Sequence, residues 1–446
     1  MKHPIYHLIS SLFIGLAIYL FYILIEDQMI FKELSLTGSF FIVLLLTLYG
    51  MFYLETYAFS VNKIVMTFFM FFFVYAPVQQ YNKEIIFNKL PAYTNQEILI
   101  MNVLTILFLI VYMFMYQLFK NKIKVGSIKV VKMIHSHTEI ILLIISYAIL
   151  FYFIREVGFY ELLSRQTSAI SIPNQTIRLL VDNFVRMIPV PIAFYLMYFT
   201  GKRIRPKIYS IIPVLILIFP LGGSARFIIG FVYLMLFTPI LFKKEFRHAL
   251  IPIMIIGLLV VFPSVDFFRN NTISQLSEFR WSLRLFETMD FDSYFMSLQT
   301  LKYVAQEGYL YGQQLVGAIF TFIPRESWEA KPVITGFVLV EALNGEFWNV
   351  STGIIGEAYI DFGMLGVLLY GLILGLCSVI FDYFLRRPYL LYAQGIAYIA
   401  LGLVFFNLRG ALLTTMGYTY GGLAAVTVVY VIIIATRGIH QEVNHD

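Results

Sequence analysis

Charged residues are scarce in this chain. Only 13% of its 446 residues are Asp, Glu, Lys or Arg, whereas 60% are hydrophobic. Soluble globular domains carry about 25% charged residues, so this composition excludes an ordinary soluble protein and a disordered chain. The apolar residues form long unbroken runs, whereas a membrane β-barrel would show segments of about ten residues with alternating polarity. The sequence therefore predicts an all-α, polytopic integral membrane protein.

Cysteine and histidine are also rare. The single cysteine, Cys377, lies in an apolar run, which excludes an intramolecular disulfide and a thiolate cluster for a metal. There is no HExxH, Walker loop, GxGxxG after a strand or nucleophile elbow, so zinc, nucleotide and hydride chemistry are disfavoured. We expect no cofactor and no metal. Basic residues fall in short clusters between apolar runs, so nucleic acid is not an expected partner either.

Twelve apolar runs approach the length of about 20 residues that a spanning helix needs. They are Leu8 to Ile25, Ser39 to Leu54, Ile64 to Gln80, Glu97 to Phe119, Glu139 to Ile154, Leu179 to Phe199, Ile208 to Leu221, Phe227 to Phe242, Ala249 to Val265, Gly363 to Phe384, Tyr389 to Phe406 and Gly417 to Ile434. The first run has no small-residue cleavage pattern, so we interpret it as a retained helix and not as a signal peptide.

The basic residues give an orientation for these spans. With the N-terminus inside, the inner segments hold 17 Lys and Arg in 65 residues and the outer segments hold 14 in 156. This is roughly a threefold excess in the direction of the positive-inside rule. We therefore expect a multi-pass protein of the cell membrane with both termini in the cytoplasm. All seven histidines fall inside, so chemistry outside must use carboxylates, hydroxyls or the substrate itself.

One long hydrophilic connection separates spans nine and ten. The predicted organisation is helices one to nine over residues 1–265, an extracytoplasmic loop over 266–353, and helices ten to twelve with a cytoplasmic tail over 354–446. Two apolar runs in the loop, Leu315 to Ile323 and Val333 to Leu343, are too short to span, and we expect them to form surface-lying or re-entrant helices. A connection of this length is a candidate for function.

Arginine prevails over lysine on the outer side, with nine Arg against five Lys. The planar guanidinium suits bidentate contact with phosphate, which suggests a phosphate-bearing ligand. Arg226 closes a tight Gly-Gly-Ser-Ala-Arg hairpin, and Arg409 lies between spans eleven and twelve; snorkelling at a helix end is the alternative for both. Arg280 and Arg284 would share a helix face, where they could equally pair with glutamates.

Acidic residues near the spans are few. Glu357 and Asp361 are four residues apart, so they share one helix face at the start of span ten. Two carboxylates so placed could form a general base, and a solvated helix start is the equal alternative. Asp182 and Arg186, inside span six, are expected to neutralise each other.

Aromatic residues make up 17% of the chain. We expect the phenylalanine run from Phe68 to Phe73 to face lipid. The three tryptophans, Trp281, Trp328 and Trp348, all lie in the long outer loop. Sugar rings stack on such faces, and anchoring at the membrane interface explains them equally well.

Two segments resemble a known family. The stretch Phe322-Ile323-Pro324-Arg325-Glu326-Ser327-Trp328-Glu329-Ala330-Lys331-Pro332 resembles the Pro-Arg-x-x-Trp-x-x-Lys-Pro motif of bacterial oligosaccharide repeat-unit polymerases, the Wzy-type O-antigen, capsule and exopolysaccharide polymerases. The stretch from Gly356 to Gly366 is similar to their Gly-Glu-x-Tyr-x-x-Phe-Gly-x-x-Gly motif. The motifs cover only about 45 residues, and two positions depart from the family pattern: Ala225 precedes Arg226, and Ala411 follows Gly410.

This resemblance implies glycosyl transfer between undecaprenyl-diphosphate-linked oligosaccharides at the outer membrane face, without a nucleotide sugar or a metal. The expected partners are these lipids, the bilayer and, as a possible further partner, a chain-length regulator. The implied site residues fall into four groups: Arg226, Arg325 and Arg409 on the diphosphate, Arg280, Arg284 and Lys331 in a wider anion path, Trp328 on sugar, and Glu357 or Asp361 as the base.

Two alternatives stay open at this point. An O-antigen ligase shares the fold type and lipid donor, but that family is known for a histidine in its outer loop, and this loop has none. A flippase or secondary transporter would also fit twelve spans, but transporters usually show related halves, and no repeat is visible here.

Overall fold

The computed structural model describes residues 4–26, 33–54, 60–120, 130–163, 172, 174–201, 203–219, 250–261, 264, 286–348, 350–386, 390–436 and 439–443. The helices are α1 (Pro4–Ile25), α2 (Leu34–Leu54, ending in a π turn), α3 (Val61–Asn82, with a π turn at Phe71–Tyr75), α4 (Asn95–Lys120), α5 (Ser136–Val157), α6 (Phe159–Leu162), α7 (Gln175–Asn183), α8 (Pro189–Phe199), α9 (Ile204–Leu217), α10 (Leu250–Ile256), α11 (Ser293–Glu307), α12 (Gln313–Ile319), α13 (Thr335–Ala342), α14 (Gly353–Leu385), α15 (Leu391–Arg409) and α16 (Leu412–Ala435). Strands β1 (Val130–Ile134) and β2 (Ile439–Val443) form a short antiparallel ribbon.

Eight helical segments of the described chain are long and apolar enough to cross a membrane. They coincide with predicted spans two to six and ten to twelve. Predicted span one corresponds to α1, of which Ser10–Ile25 forms a shorter apolar helix, and predicted spans seven and nine correspond to α9 and α10. Predicted span eight lies outside the described residues. The prediction of a helical, polytopic membrane protein is thus confirmed in its coarse form, whereas the count of twelve and the course of the long loop stay predictions.

The chain divides into two compact units. Unit 1 comprises Met1–Ile123, Ser282–Ile380 and Val404–Met416, and unit 2 comprises Lys124–Trp281, Phe381–Leu403 and Gly417–Asp446. The boundary passes through α14, α15 and α16. Glu357, Asp361 and the Pro-Arg-x-x-Trp-x-x-Lys-Pro segment belong to unit 1.

Helix α3 forms the centre of unit 1. Every side chain of its most apolar window is enclosed by protein, and the residues from Phe68 to Phe73 are at most 1% exposed. Phe68 stacks on Phe72 at 4.8 Å between ring centroids, and Phe72 stacks on Phe291 at 4.7 Å. The expectation that this run faces lipid is therefore wrong. A helix that is apolar all round is suited to complete burial inside a bundle as much as to lipid.

The described part of the predicted outer loop contains three helices. Helices α12 and α13 start close to the two short apolar runs that predicted them. Helix α11 was not predicted, because its polar residues interrupt any long apolar run. Its first nine residues, Ser293 to Leu301, are nonetheless buried in unit 1. Ser297, Gln299 and Thr300 are among them, with 0% exposure each.

Helix α14 bends sharply within the second resemblance motif. Gly363 has φ 61° and ψ −142°, a conformation that side-chain-bearing residues avoid. The bend brings the next turn against the first, so that a Cβ on Gly366 would overlap the carbonyl oxygen of Ala358. A Cβ on Gly356 would lie 3.0 Å from the Cα of Ser297 in α11. The three glycines of the motif thus meet three separate steric needs.

Unit 2 contains the predicted Asp182–Arg186 pair. The Nη1 of Arg186 lies 3.6 Å from Oδ1 of Asp182, and its Nε donates to the carbonyl of Leu217 at 2.9 Å. The guanidinium also lies over the Phe153 ring, 5.4 Å from the centroid. The expected neutralisation of these two charges is confirmed, with a carbonyl and a ring as additional partners.

Replacing Gly363 with alanine should destabilise the protein by about 1–3 kcal/mol, because alanine at this φ and ψ is strained. The matched control is Gly38→Ala in α2, where a new Cβ meets nothing within 4 Å and helix propensity favours alanine by about 0.5–1 kcal/mol. The measurement is thermal unfolding in detergent. Equal melting temperatures for Gly363→Ala and wild type would contradict the described bend.

Candidate functional site

Glu357 and Asp361 lie on one face of α14, on the N-terminal side of the Gly363 bend. Both residues are 0% exposed. The prediction that they share a face holds, but the solvated helix start that was its alternative does not apply, because both side chains are enclosed. Their hydrogen bonds differ, and this difference separates their roles.

Asp361 caps a neighbouring helix. Its Oδ1 accepts from the backbone N–H of Gln314 at 3.1 Å, and its Oδ2 accepts from Leu315 at 2.8 Å. The residue at the N-cap position of α12 is Gly312, which has no side chain to accept these bonds. The carboxylate of Asp361 replaces the missing cap and complements the positive end of α12. Both of its oxygens are thus engaged by the protein.

Glu357 has one oxygen bound and one free. Oε2 accepts a hydrogen bond from the Thr335 hydroxyl at 2.7 Å. Oε1 is buried and has no hydrogen-bond partner among the described residues. The backbone amide of Leu412, the first residue of α16, also interacts with the Glu357 carboxyl group. Buried polar atoms are nearly always paired, so an unpaired carboxyl oxygen indicates a place for a donor.

The Pro-Arg-x-x-Trp-x-x-Lys-Pro segment closes on itself. Arg325 donates to the carbonyls of Lys331 at 2.7 Å and Pro332 at 3.1 Å. Lys331 donates to the carbonyls of Thr321 at 2.7 Å and Ile323 at 2.8 Å. Burial, together with the positive charge of Arg325, lowers the pKa of Lys331. The two cations of the motif therefore fix a loop, and Arg325 stays exposed with further N–H donors.

This loop leads directly to Glu357. Thr335 lies three residues after Pro332 and is the first residue of α13. Its hydroxyl donates the hydrogen bond to the Glu357 carboxyl. A Cβ on Gly317 would overlap Pro332 and approach Leu413, and the hydroxyl of Thr321 donates to the Leu413 carbonyl at 3.1 Å. The two resemblance motifs, helix α12 and the start of α16 therefore meet around the two carboxylates.

Arg409 binds the segment before α11. Its Nε donates to the carbonyl of Asp290 at 2.9 Å, and its Nη2 lies 3.1 Å from the Met289 carbonyl and 3.2 Å from Oδ1 of Asp292. The other oxygen of Asp292 accepts from the Ser351 amide at 2.9 Å. These contacts give Arg409 a structural role, and its predicted contact with diphosphate stays a prediction.

Several predicted residues lie elsewhere. Arg226, Arg280 and Arg284 are outside the described residues, so their predicted roles are untested. Trp328 is half-buried beside the Arg325 turn. Over the described ranges, no group of three or more His, Cys, Asp and Glu is placed to hold a metal ion. Sequence reasoning missed Thr335 and Asp292. The only signal for Thr335 is its position in a Thr-Gly pair three residues after the Lys331-Pro332 end of the motif, and the sequence has no signal for Asp292.

No family model, curated protein or solved structure matches this chain.

Thr335→Val should lower the free energy of unfolding by about 1–3 kcal/mol, because valine keeps the shape and leaves the second oxygen of the Glu357 carboxyl unpaired. Thr335→Ser is the matched control, since serine keeps the hydroxyl. Thermal unfolding in detergent measures both variants. If valine and serine gave the same melting temperature, the hydrogen bond to Glu357 would have no energetic importance.

The Asp292 carboxyl should make stability depend on pH. Burial raises its pKa to about 6, although the charge of Arg409 opposes the shift. Because the folded state holds this proton more tightly than the unfolded chain, the contribution stabilises at about pH 4 and is lost as the pH rises to about 6. Relative to Asp292→Asn, the wild type should lose up to about 3 kcal/mol across that window.

Melting temperatures of wild type and Asp292→Asn at pH 4, 5, 6 and 7 measure this difference. Parallel pH profiles for the two proteins would show that Asp292 has the same pKa in the folded and unfolded states.

Proposed function

We propose that the protein polymerises undecaprenyl-diphosphate-linked oligosaccharide repeat units into a surface polysaccharide at the outer face of the cytoplasmic membrane. The observation that carries the proposal is the position of Glu357. It belongs to one resemblance motif, its Oε2 is bound by Thr335, three residues after the other motif, and its Oε1 is buried without a hydrogen bond of normal geometry among the described residues. The segment after the first motif thus orients the glutamate of the second motif.

In this proposal Glu357 is the general base. Its Oε1 accepts the proton of a sugar hydroxyl on the incoming unit, and the oxygen of that hydroxyl attacks the anomeric carbon of the growing chain. The new glycosidic C–O bond forms as the anomeric C–O bond to the lipid diphosphate breaks. Undecaprenyl diphosphate leaves with the electron pair of that bond. Asp361 is the weaker candidate for the base, because both of its oxygens cap α12.

The cations have the complementary task of stabilising the leaving diphosphate. Among the described residues, Arg325 is the favoured one, because it is exposed and two of its N–H groups hold the loop while others stay available. Arg226, Arg280 and Arg284 remain proposed contacts. Each well-placed donor contributes about 3–4 kcal/mol of transition-state stabilisation. Lys331 supports the loop through two carbonyls, which places it behind Arg325.

The closed form of the site sets a condition on this reaction. Glu357 is 0% exposed, so the acceptor hydroxyl reaches Oε1 only if a neighbouring segment moves. The 321–332 loop is the candidate, because it is held mainly by carbonyl contacts of two cations. A buried base is also protected from water, which would otherwise compete with the sugar hydroxyl as acceptor.

Glu357→Gln should abolish the lengthening of the glycan, because the amide keeps the hydrogen bond to Thr335 but cannot accept a proton. Glu341→Gln is the matched control: Glu341 is exposed on α13 and takes no part in the site. The measurement is glycan chain length on gels, with protein abundance followed by immunoblot. Single lipid-linked units should accumulate on the outer leaflet of the Glu357→Gln strain.

Normal long chains with Glu357→Gln would contradict the assignment of the base. Long chains that form but are not joined to the lipid A core would favour a ligase. Accumulation of the units on the inner leaflet would favour a flippase.

A further inference from the structure

Trp348 forms an exposed aromatic surface in unit 1. Its ring stacks on Phe337 with 4.4 Å between ring centroids and 25° between the planes, and the residue is 45% exposed. Phe337 lies on α13, two residues after the Thr335 that binds Glu357. One face of the indole is therefore covered by Phe337, and the stack is connected to the carboxyl site by a single turn of helix.

The surroundings of this stack are polar. Asn88 Oδ1 accepts from the amides of Glu346 and Phe347, and its Nδ2 donates to the Phe347 carbonyl at 2.8 Å. Lys89 and Glu346 form an ion pair at 2.5 Å with side chains 75% and 60% exposed. Glu346 is two residues before Trp348, and an ion pair this exposed indicates a water-facing segment, because such charges avoid the hydrocarbon of a bilayer.

The turn that precedes Trp348 is packed against buried residues of unit 1. A Cβ on Gly345 would lie 2.9 Å from Leu90, which means that the turn before Trp348 packs directly on unit 1. Leu339, Val340 and Val350 belong to a buried cluster under this turn. An exposed ring held in one orientation loses little entropy when it binds a ligand, and such preorganisation favours binding.

We propose that the Trp348–Phe337 stack binds a sugar ring of the oligosaccharide whose hydroxyl reaches Glu357. The C–H groups on one side of a sugar ring carry partial positive charge and pack on the negative face of the indole. The exposed charges of Lys89 and Glu346 are the polar groups of this segment that sugar hydroxyls would meet, whereas Asn88 is engaged by the backbone. This inference rests on the proposed function. It assigns an oligosaccharide ligand to Trp348, for which the sequence allowed either sugar stacking or anchoring at the membrane interface.

The first experiment separates a sugar site from a membrane anchor. The chain has three tryptophans, so Trp281→Phe with Trp328→Phe leaves Trp348 as the only one. This protein is reconstituted in vesicles whose lipids carry bromine on the acyl chains near the headgroups. Fluorescence that the bromolipids do not quench supports the proposal. Strong quenching by these lipids places Trp348 in the bilayer interface and overturns it.

The second experiment measures binding directly. The probe is the repeat-unit oligosaccharide that mild acid releases from the lipid-linked precursor of the host, added to the same single-tryptophan protein in detergent. We expect a saturable change in Trp348 emission. In the otherwise wild-type protein, calorimetry should show about tenfold weaker binding for Trp348→Leu, whereas Trp348→Phe should stay within about threefold. Trp348→Leu that binds as tightly as wild type overturns the proposal.

Failure of the sugar-binding proposal can be distinguished from failure of the proposed polymerase function. A wild-type protein that polymerises repeat units while Trp348→Leu keeps its affinity contradicts only the sugar-binding stack. A wild-type protein that binds the oligosaccharide through Trp348 but joins no units contradicts only the polymerase. Gel filtration and the melting temperature of Trp348→Phe control for folding.

Discussion

The hydrogen bond from the Thr335 hydroxyl to Glu357 Oε2 is the interaction around which the described site is arranged. A carboxyl group at 0% exposure is costly to keep in protein unless it is paired, and this single bond at 2.7 Å satisfies one of its oxygens. The position of Thr335 depends in turn on the loop that Arg325 and Lys331 close through four carbonyls. The orientation of Glu357 therefore depends on cations that do not touch it.

The neighbouring carboxylate shows how the same environment produces a second, different role. Asp361 faces the start of α12, where two backbone N–H groups donate to its two oxygens, whereas Glu357 meets the Thr335 hydroxyl and the Leu412 amide. Helix periodicity places both on one face, and the partners alone distinguish a structural carboxylate from a reactive one. The glycine at the N-cap of α12 is what makes Asp361 structural.

The sequence predicted most of the membrane-spanning helices and part of the candidate site. Long apolar runs predicted α2 to α5 and α14 to α16 because length and apolarity decide whether a helix suits a membrane. The same signal cannot tell lipid from protein as the apolar neighbour, so it failed for Phe68 to Phe73. It also missed α11, whose buried Ser297 and Gln299 donate to the carbonyls of Thr352 and Pro91, which only the folded chain brings near. Spacing placed Glu357 and Asp361 together, but Thr335 and the contacts of Arg409 come from parts of the chain that are distant in sequence.

The central claim is that the free oxygen of Glu357 takes the proton of an acceptor sugar during repeat-unit polymerisation. The most direct measurement incubates the purified, reconstituted protein with a lipid-linked repeat unit and follows the products by mass spectrometry. The account predicts that wild type releases one undecaprenyl diphosphate for each unit added, and that Glu357→Gln binds the substrate but forms no glycosidic bond. Chain growth by Glu357→Gln at the wild-type rate would contradict it.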